Sequence, residues 1–384
     1  MLKPKHIPLV LKQVARHRTR SLLTAAGVAC AMFLFCLIES MRRGAAEATE
    51  VAATDTNLIV YRAERYCPMT SNLPEHYRPR IEGIEGVARA VPMRIVPTNC
   101  RTSLDVITFR GVRAEDFRGH LAAELEVLDG SIADWSRRSD AALVGDSLAR
   151  RRGFRPGDRF DAAGITVYVA GVFRSAEPEH ENCAYVHLDF LQRNTGSRKL
   201  GVVTQFSVTV SDPRRLTAVG KQIDDLFRYD QEPTSTYPQR AFVARAAMAA
   251  VEVIRFTRWL GYGCLAAVLA LVGNAIVLSV QDRVRDHAVL QTLGYSTNLI
   301  ARLIVAEGLV LALAGGAAGT AGAWAAEHWG RFALSAEGQS IAMRMDWSVM
   351  LIGLAVSGAL GLAAGLVPAW QASRREIAAC FRAV

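Results

Sequence analysis

The sequence predicts a membrane α-helical protein: four transmembrane helices, with an extracytoplasmic α+β domain inserted between the first and the second. Three observations predict it. Hydrophobic residues make up 51% of the 384-residue chain, and they concentrate at its start and in its last third. Four runs in those regions are long enough to span a membrane and contain no charged residue. Between the first and second run lies a long stretch of ordinary mixed composition, in which strand-like and helix-like patterns alternate.

Crossing ~30 Å of hydrocarbon at ~1.5 Å per residue takes about 20 apolar residues. Ser21–Ile38, Trp259–Val280, Gly308–Ala326 and Val349–Trp370 meet this length. Charged residues flank each run: Arg20 and Glu39, Arg258 and Asp282, Glu307 and Glu327, Asp346 and Arg374. Backbone groups have no water partner in lipid, so such runs take the helical form that satisfies them internally. On this reading no span carries a mid-membrane ionisable residue, and Glu307 is a flanking charge. The first run exceeds the usual length of a signal-peptide core, and Arg42 and Arg43 follow it directly, so it is expected to be a retained anchor.

Lys3, Lys5, Lys12, Arg16, Arg18 and Arg20 precede the first span with no acidic residue among them. A cluster of this kind marks the cytoplasmic side. Four crossings return the C-terminus to that side, where Arg374, Arg375 and Arg382 agree. The expected location is therefore a bacterial cytoplasmic (inner) membrane, with both termini cytoplasmic. The formal charge of +9 gathers beside the hydrophobic runs and reads as topogenic, so no nucleic-acid partner is expected. The expected domains are 1–41 (basic segment and first span), 42–257 (outer domain) and 258–384 (three spans, with a cytoplasmic segment 281–295 between the second and third). The connection between the third and fourth spans is expected to be a short outer loop.

In the outer domain, Asn57–Tyr61, Asp105–Val112, Ala141–Gly145, Ile165–Phe173 and Phe206–Val210 read as strands. A short helix runs through Leu148, and a turn follows at Pro156-Gly157-Asp158. Pro213 opens a helix whose Leu216, Val219, Ile223, Leu226 and Phe227 share one face. Of Cys67, Cys100 and Cys183 at most one disulfide can form. Catalytic signals are weak. Gly145-Asp146-Ser147-Leu148-Ala149 lacks the closing glycine of a nucleophile elbow. Glu177, Glu179, His180 and Glu181, beside Pro178, read as an exposed acidic loop rather than a metal site. Gly220-Lys221 lacks the rest of a phosphate loop. No catalytic residue and no metal ligand is assigned.

Within the spans, Gly315 with Gly319 and Gly361 with Gly365 form G-x-x-x-G pairs, which allow close helix approach within the chain or between chains. Asn274, a lone amide in the second span, is expected to bond across a helix interface. The segment Gln281–Tyr295 reads as a short charged-then-apolar helix ending at Gly294. From its residues alone it can lie on lipid headgroups, cap the bundle or dock a cytoplasmic partner.

Several segments, in order, resemble the permease subunits of ATP-binding-cassette transporters of the MacB/FtsX-like family, which includes macrolide-exporter, lipoprotein-release and cell-division permeases. They are Arg18-Thr19-Arg20-Ser21-Leu22-Leu23-Thr24; then Ala142-Leu143-Val144-Gly145 with Leu148-Ala149, Gly153 and Gly157-Asp158; then Val172-Phe173 and Val186 to Leu188 with Gln192. In the C-terminal third they are Asn274 with Ser279-Val280, Arg283-x-Arg285-Asp286-x-Ala288-Val289-Leu290-x-Thr292-Leu293-Gly294, and Glu307 with Gly315-Gly316-x-x-Gly319. Asp286 stands where the family usually has Glu, His287 replaces an apolar residue and Gln291 replaces a common Arg.

The resemblance implies a MacB-type periplasmic core for the outer domain and a stand-alone permease of the lipoprotein-release or DevC-like kind, with no fused ATPase. It implies that Arg283, Arg285, Asp286, Val289, Leu290, Leu293, Gly294 and Tyr295 form a coupling helix seated on a cytoplasmic ATPase. ATP and magnesium would sit on that partner, and this chain would hold no cofactor. It further implies a second permease chain, as homodimer or heterodimer, contact with lipids, and a periplasmic adaptor as a further candidate partner. The expected function is mechanotransmission: ATP hydrolysis moves the outer domain to export or extract a lipid, lipoprotein or hydrophobic compound. The alternatives are a signalling subunit that activates an extracytoplasmic enzyme, and a membrane-anchored binding module without an ATPase.

Overall fold

The structure is a computed structural model. It describes residues 12, 16, 18–50, 52, 54–65, 67–98, 106–119, 121–175, 178–196, 200–246, 248–282, 289, 292, 296–330, 333–336, 339–343 and 345–373. The chain divides into two compact units. One holds residues 1–42, 254–329 and 344–384; the other holds 43–253 and 330–343.

The first unit contains four helices long and apolar enough to cross a membrane: Arg18–Thr49, Glu252–Gln281, Thr297–Gly330 and Trp347–Gln371. They outlast the uncharged runs because the flanking residues also favour helix. Glu39 and Arg42, three apart on the first helix, form an ion pair at 2.6 Å. The third helix differs most from expectation. It begins at Thr297, and its buried stripe runs Ile300, Leu303, Ile304, Glu307, Leu311 and Gly315. Glu307 therefore lies on the packed face of a membrane-length helix and is 8% exposed. The charge flanks the uncharged run, yet it is buried between helices rather than exposed beside them.

The second unit is an α+β domain. Its strands are β1 (Asn57–Arg62), β2 (Leu73–Pro74), β3 (Val87–Pro97), β4 (Thr108–Val112), β5 (Leu125–Gly130), β6 (Ala141–Gly145), β7 (Arg159–Ala162), β8 (Ile165–Ser175), β9 (Cys183–His187), β10 (Val202–Val203), β11 (Gln205–Val210), β12 (Thr234–Pro238), β13 (Ala333–Ala336) and β14 (Gln339–Ala342). Ten of them form one sheet in the order β12-β1-β11-β3-β4-β9-β6-β8-β5, with β7 paired to β8. The β4–β9 and β6–β8 pairs are parallel. The five strands read from sequence are all present, within a few residues of their expected ends. β3 was not expected. Pro92 and Pro97 argue against a central strand, yet β3 joins β11 to β4, with Pro92 opposite Phe206.

Alternation explains the layering. In β11, Phe206, Val208 and Val210 point into one core. Leu216, Val219 and Ile223 of the helix Leu216–Leu226 cover it. Asp212 caps the turn before that helix by accepting from the Arg214 N–H at 3.0 Å. Two further cores lie about β6, β8 and β9. Trp135, fully buried, donates its indole N–H to the Tyr185 carbonyl at 3.0 Å. Cys67 is partly buried, and Cys183 is buried with its thiol donating to the His180 carbonyl at 3.2 Å; Cys100 lies outside the described residues.

The connection between the third and fourth long helices is not a simple loop. β13 and β14 pair as an antiparallel hairpin, Ile341 is buried, and β14 lies beside the helix Pro178–Glu181. The Ala- and Ser-rich segment has too little β-branched or aromatic content to read as strand.

Candidate functional site

Of the residues assigned to ATPase coupling, Val289 is described and is 49% exposed. Arg283, Arg285, Asp286, Leu290, Leu293, Gly294 and Tyr295 lie outside the described residues. What the structure describes is the helix ends on either side of them.

Ser279 stands one turn before the end of the second long helix, and Glu307 about 15 Å into the third at ~1.5 Å per residue. The Ser279 hydroxyl donates to Glu307 Oε1 at 3.1 Å. Ser279 is 7% and Thr24 5% exposed. Thr24 gives its hydroxyl to the Arg20 carbonyl at 2.9 Å. Arg20, Ser21, Thr24, Ser279 and Glu307 line a cavity of about 10 Å³, room for a single water. Polar groups of the first, second and third helices thus meet at the end of the bundle from which residues 283–295 depart. The sequence reading missed this cluster. Its signal was present, since Glu307 falls at i, i+3 and i+4 spacing from Ile300, Leu303, Ile304 and Leu311.

The glycines define how closely the helices pack. A Cβ at Gly315 would lie 2.5 Å from the Ala25 carbonyl. One at Gly319 would meet the Ala29 carbonyl and lie 3.0 Å from Met32 Cβ. Gly361 would meet Ala312 at 2.7 Å, and Gly365 would meet Val305 Cα at 2.9 Å. The third helix therefore lies tightly against the first, and the fourth against the third. Asn274 is exposed and makes no side-chain hydrogen bond among the described residues, so its expected cross-helix bond is not made within them.

In the inserted domain, Pro178–Glu181 is a short helix, not an exposed acidic loop. His180 is 6% exposed, and its Nδ1 pairs with the Tyr185 hydroxyl. Glu181 accepts from Ser147 N–H at 3.2 Å, Ser147 Oγ at 2.9 Å and Ser175 N–H at 2.6 Å. These groups are occupied as structural ties. The side chains of Glu177 and Glu179 lie outside the described residues. The approach is close because Gly145 has no side chain: a Cβ there would lie 2.6 Å from the His180 carbonyl oxygen. Asp146 then accepts from Arg150 at 2.7 Å and Arg174 at 3.3 Å. At Gly153 the backbone turns left-handed, φ 73°, and ends the helix.

Four membrane-length helices and a mixed-sheet domain inserted after the first define an integral membrane protein of the permease class. A model of the MacB-like periplasmic core domain matches residues 21–226, more than half of the chain. A model of the FtsX-like permease C-terminal region matches residues 260–377. The chain belongs to the MacB/FtsX-like permease family, the permease component of ATP-binding-cassette transporters. Among solved structures, it is similar to the extracellular domain of the noncanonical ABC-type transporter YknZ from Gram-positive bacteria. Identity there is 17%, over 47% of this chain and 99% of that one, at a TM-score of 0.34. It is also similar to the periplasmic region of MacB from Actinobacillus actinomycetemcomitans. Identity there is 11%, over 48% of this chain and 89% of that one, at a TM-score of 0.34. No curated protein matches this chain.

Proposed function

We propose that this chain is the permease subunit that couples ATP hydrolysis on a separate ATPase to motion of its inserted domain, and so exports or extracts a lipid, lipoprotein or hydrophobic compound. One observation carries the reading: the core-domain match precedes the FtsX-like match, and the Arg283–Tyr295 motif falls between the second and third long helices. In this reading the motif docks the ATPase, which holds ATP and magnesium. The inserted domain lies outside the inner membrane and both termini lie in the cytoplasm, as the basic N-terminus favours. A second copy or a related permease completes the complex.

Co-purification from native membranes tests it. An ATPase accompanies the wild type and is lost when Arg285, Asp286 and Leu290 are replaced together by alanine. Retention of the ATPase by that variant refutes the docking site. A topology reporter fused after Arg62 is active only outside the cytoplasm, and one after Arg285 only inside; the same compartment for both refutes the mechanism. An extracytoplasmic enzyme, rather than an adaptor or lipid, recovered with the inserted domain would favour the signalling alternative.

A further inference from the structure

The buried carboxylate Glu307 calls for a reason. An ionisable side chain inside a membrane helix is costly, and it persists where it is paired or functional. Glu307 is met by Ser279 at 3.1 Å, and the cavity it lines also takes in Arg20 and Thr24. Its neighbour Gly308 tightens the same contact: a Cβ there would lie 2.6 Å from Ile276 and 3.1 Å from the Gly361 carbonyl. In sequence, Ser279 lies two residues before the 281–295 segment and Glu307 twelve residues after it. Between membrane helices, where apolar burial supplies no driving force of its own, an interhelical hydrogen bond adds a directional contact to the close packing.

We propose that Ser279 and Glu307 form a positioning clasp. It locks the second and third long helices in register near the ends that the 281–295 segment connects, so that a displacement passed to one helix moves both together. The proposal rests on the ATPase-coupling reading above. Glu307 and Ser279 are positioning residues: they lie outside the docking motif and act through the helices that carry it.

The test uses the full chain, purified with whatever ATPase accompanies it, and hydrogen exchange measured with and without ATP plus vanadate. The wild type retains the ATPase, and ATP changes exchange in the inserted domain. Glu307→Ala retains the ATPase, but the ATP-dependent change falls on the order of fivefold or more. Ser279→Ala, which removes one oxygen and leaves the helix packing intact, gives the same loss. Glu307→Gln keeps an oxygen that can accept from Ser279 and restores the response, which a role in charge alone would not allow. A full response in both alanine variants overturns the clasp and leaves the coupling reading standing. A wild type that retains no ATPase overturns the coupling reading, and the clasp with it.

Discussion

Replacing Gly145 by alanine isolates one steric contact. The residue has φ −64° and ψ 143°, a conformation alanine adopts freely, so the backbone adds no cost of its own. The new Cβ, however, would stand 2.6 Å from both the His180 carbonyl oxygen and the Glu181 carbonyl carbon. Ordinary contact begins about 0.8 Å further out. Backbone atoms must give way, and overpacking of this kind costs about 1–3 kcal/mol. Withdrawal of the Pro178–Glu181 helix by that distance also stretches the bonds from Ser147 and Ser175 to Glu181, now 2.6–3.2 Å long. Hydrogen bonds to a charged group contribute about 1.5–3 kcal/mol each, at most one or two of which this partly buried site would forfeit. The expected loss is about 3–5 kcal/mol. Hydrogen exchange of β6 and β9 amides in the full chain measures it. Gly153→Ala is the control: φ is +73° but the space is open, so it costs about 1 kcal/mol. In a Glu181→Ala background, Gly145→Ala should cost clearly less, because the bonds it would strain are gone. A loss below about 1 kcal/mol, or full additivity of the two changes, would refute the reasoning.

Arg94 is 3% exposed; its Nη1 donates to Asn72 Oδ1 at 3.2 Å, and its Nε has no hydrogen-bond partner among the described residues. Burial holds its guanidinium below the ordinary range, so Arg94→Met, which keeps the stem, should stabilise the domain by about 1–3 kcal/mol by hydrogen exchange, while Arg94→Ala should not. The Asp224 carboxyl is pushed above its ordinary 3.8 by burial, against the bonds donated by Thr236 and Thr234. The folded state therefore binds this proton more tightly than the unfolded chain. Its contribution is greatest below pH 3.8 and declines as pH rises through the folded value, a slope that the difference between wild type and Asp224→Asn isolates. Gly319→Leu drives a side chain into the Ala29 carbonyl and Met32, and should cost about 1–3 kcal/mol, read as a lower unfolding temperature of the full chain in detergent.

The sequence by itself determined the spans, because twenty apolar residues in a row have few other uses. It likewise determined the inserted domain's class, its five most β-rich strands and the Leu216–Phe227 face, all of which rest on local composition and period. The order of the family motifs was also a property of the chain alone. What it could not decide depends on what lies across from a residue. β3 carries two prolines and is admitted to the sheet only because β11 and β4 accept it on either side. The β13–β14 hairpin has little strand propensity and is held by the domain it lies against. Glu181 reads as a solvated acid until Gly145 allows it beneath Ser147, and Glu307 reads as a boundary charge until Ser279 meets it inside the bundle. Burial of a polar group becomes tolerable only when a distant partner arrives to satisfy it, and that partner is fixed by packing in three dimensions.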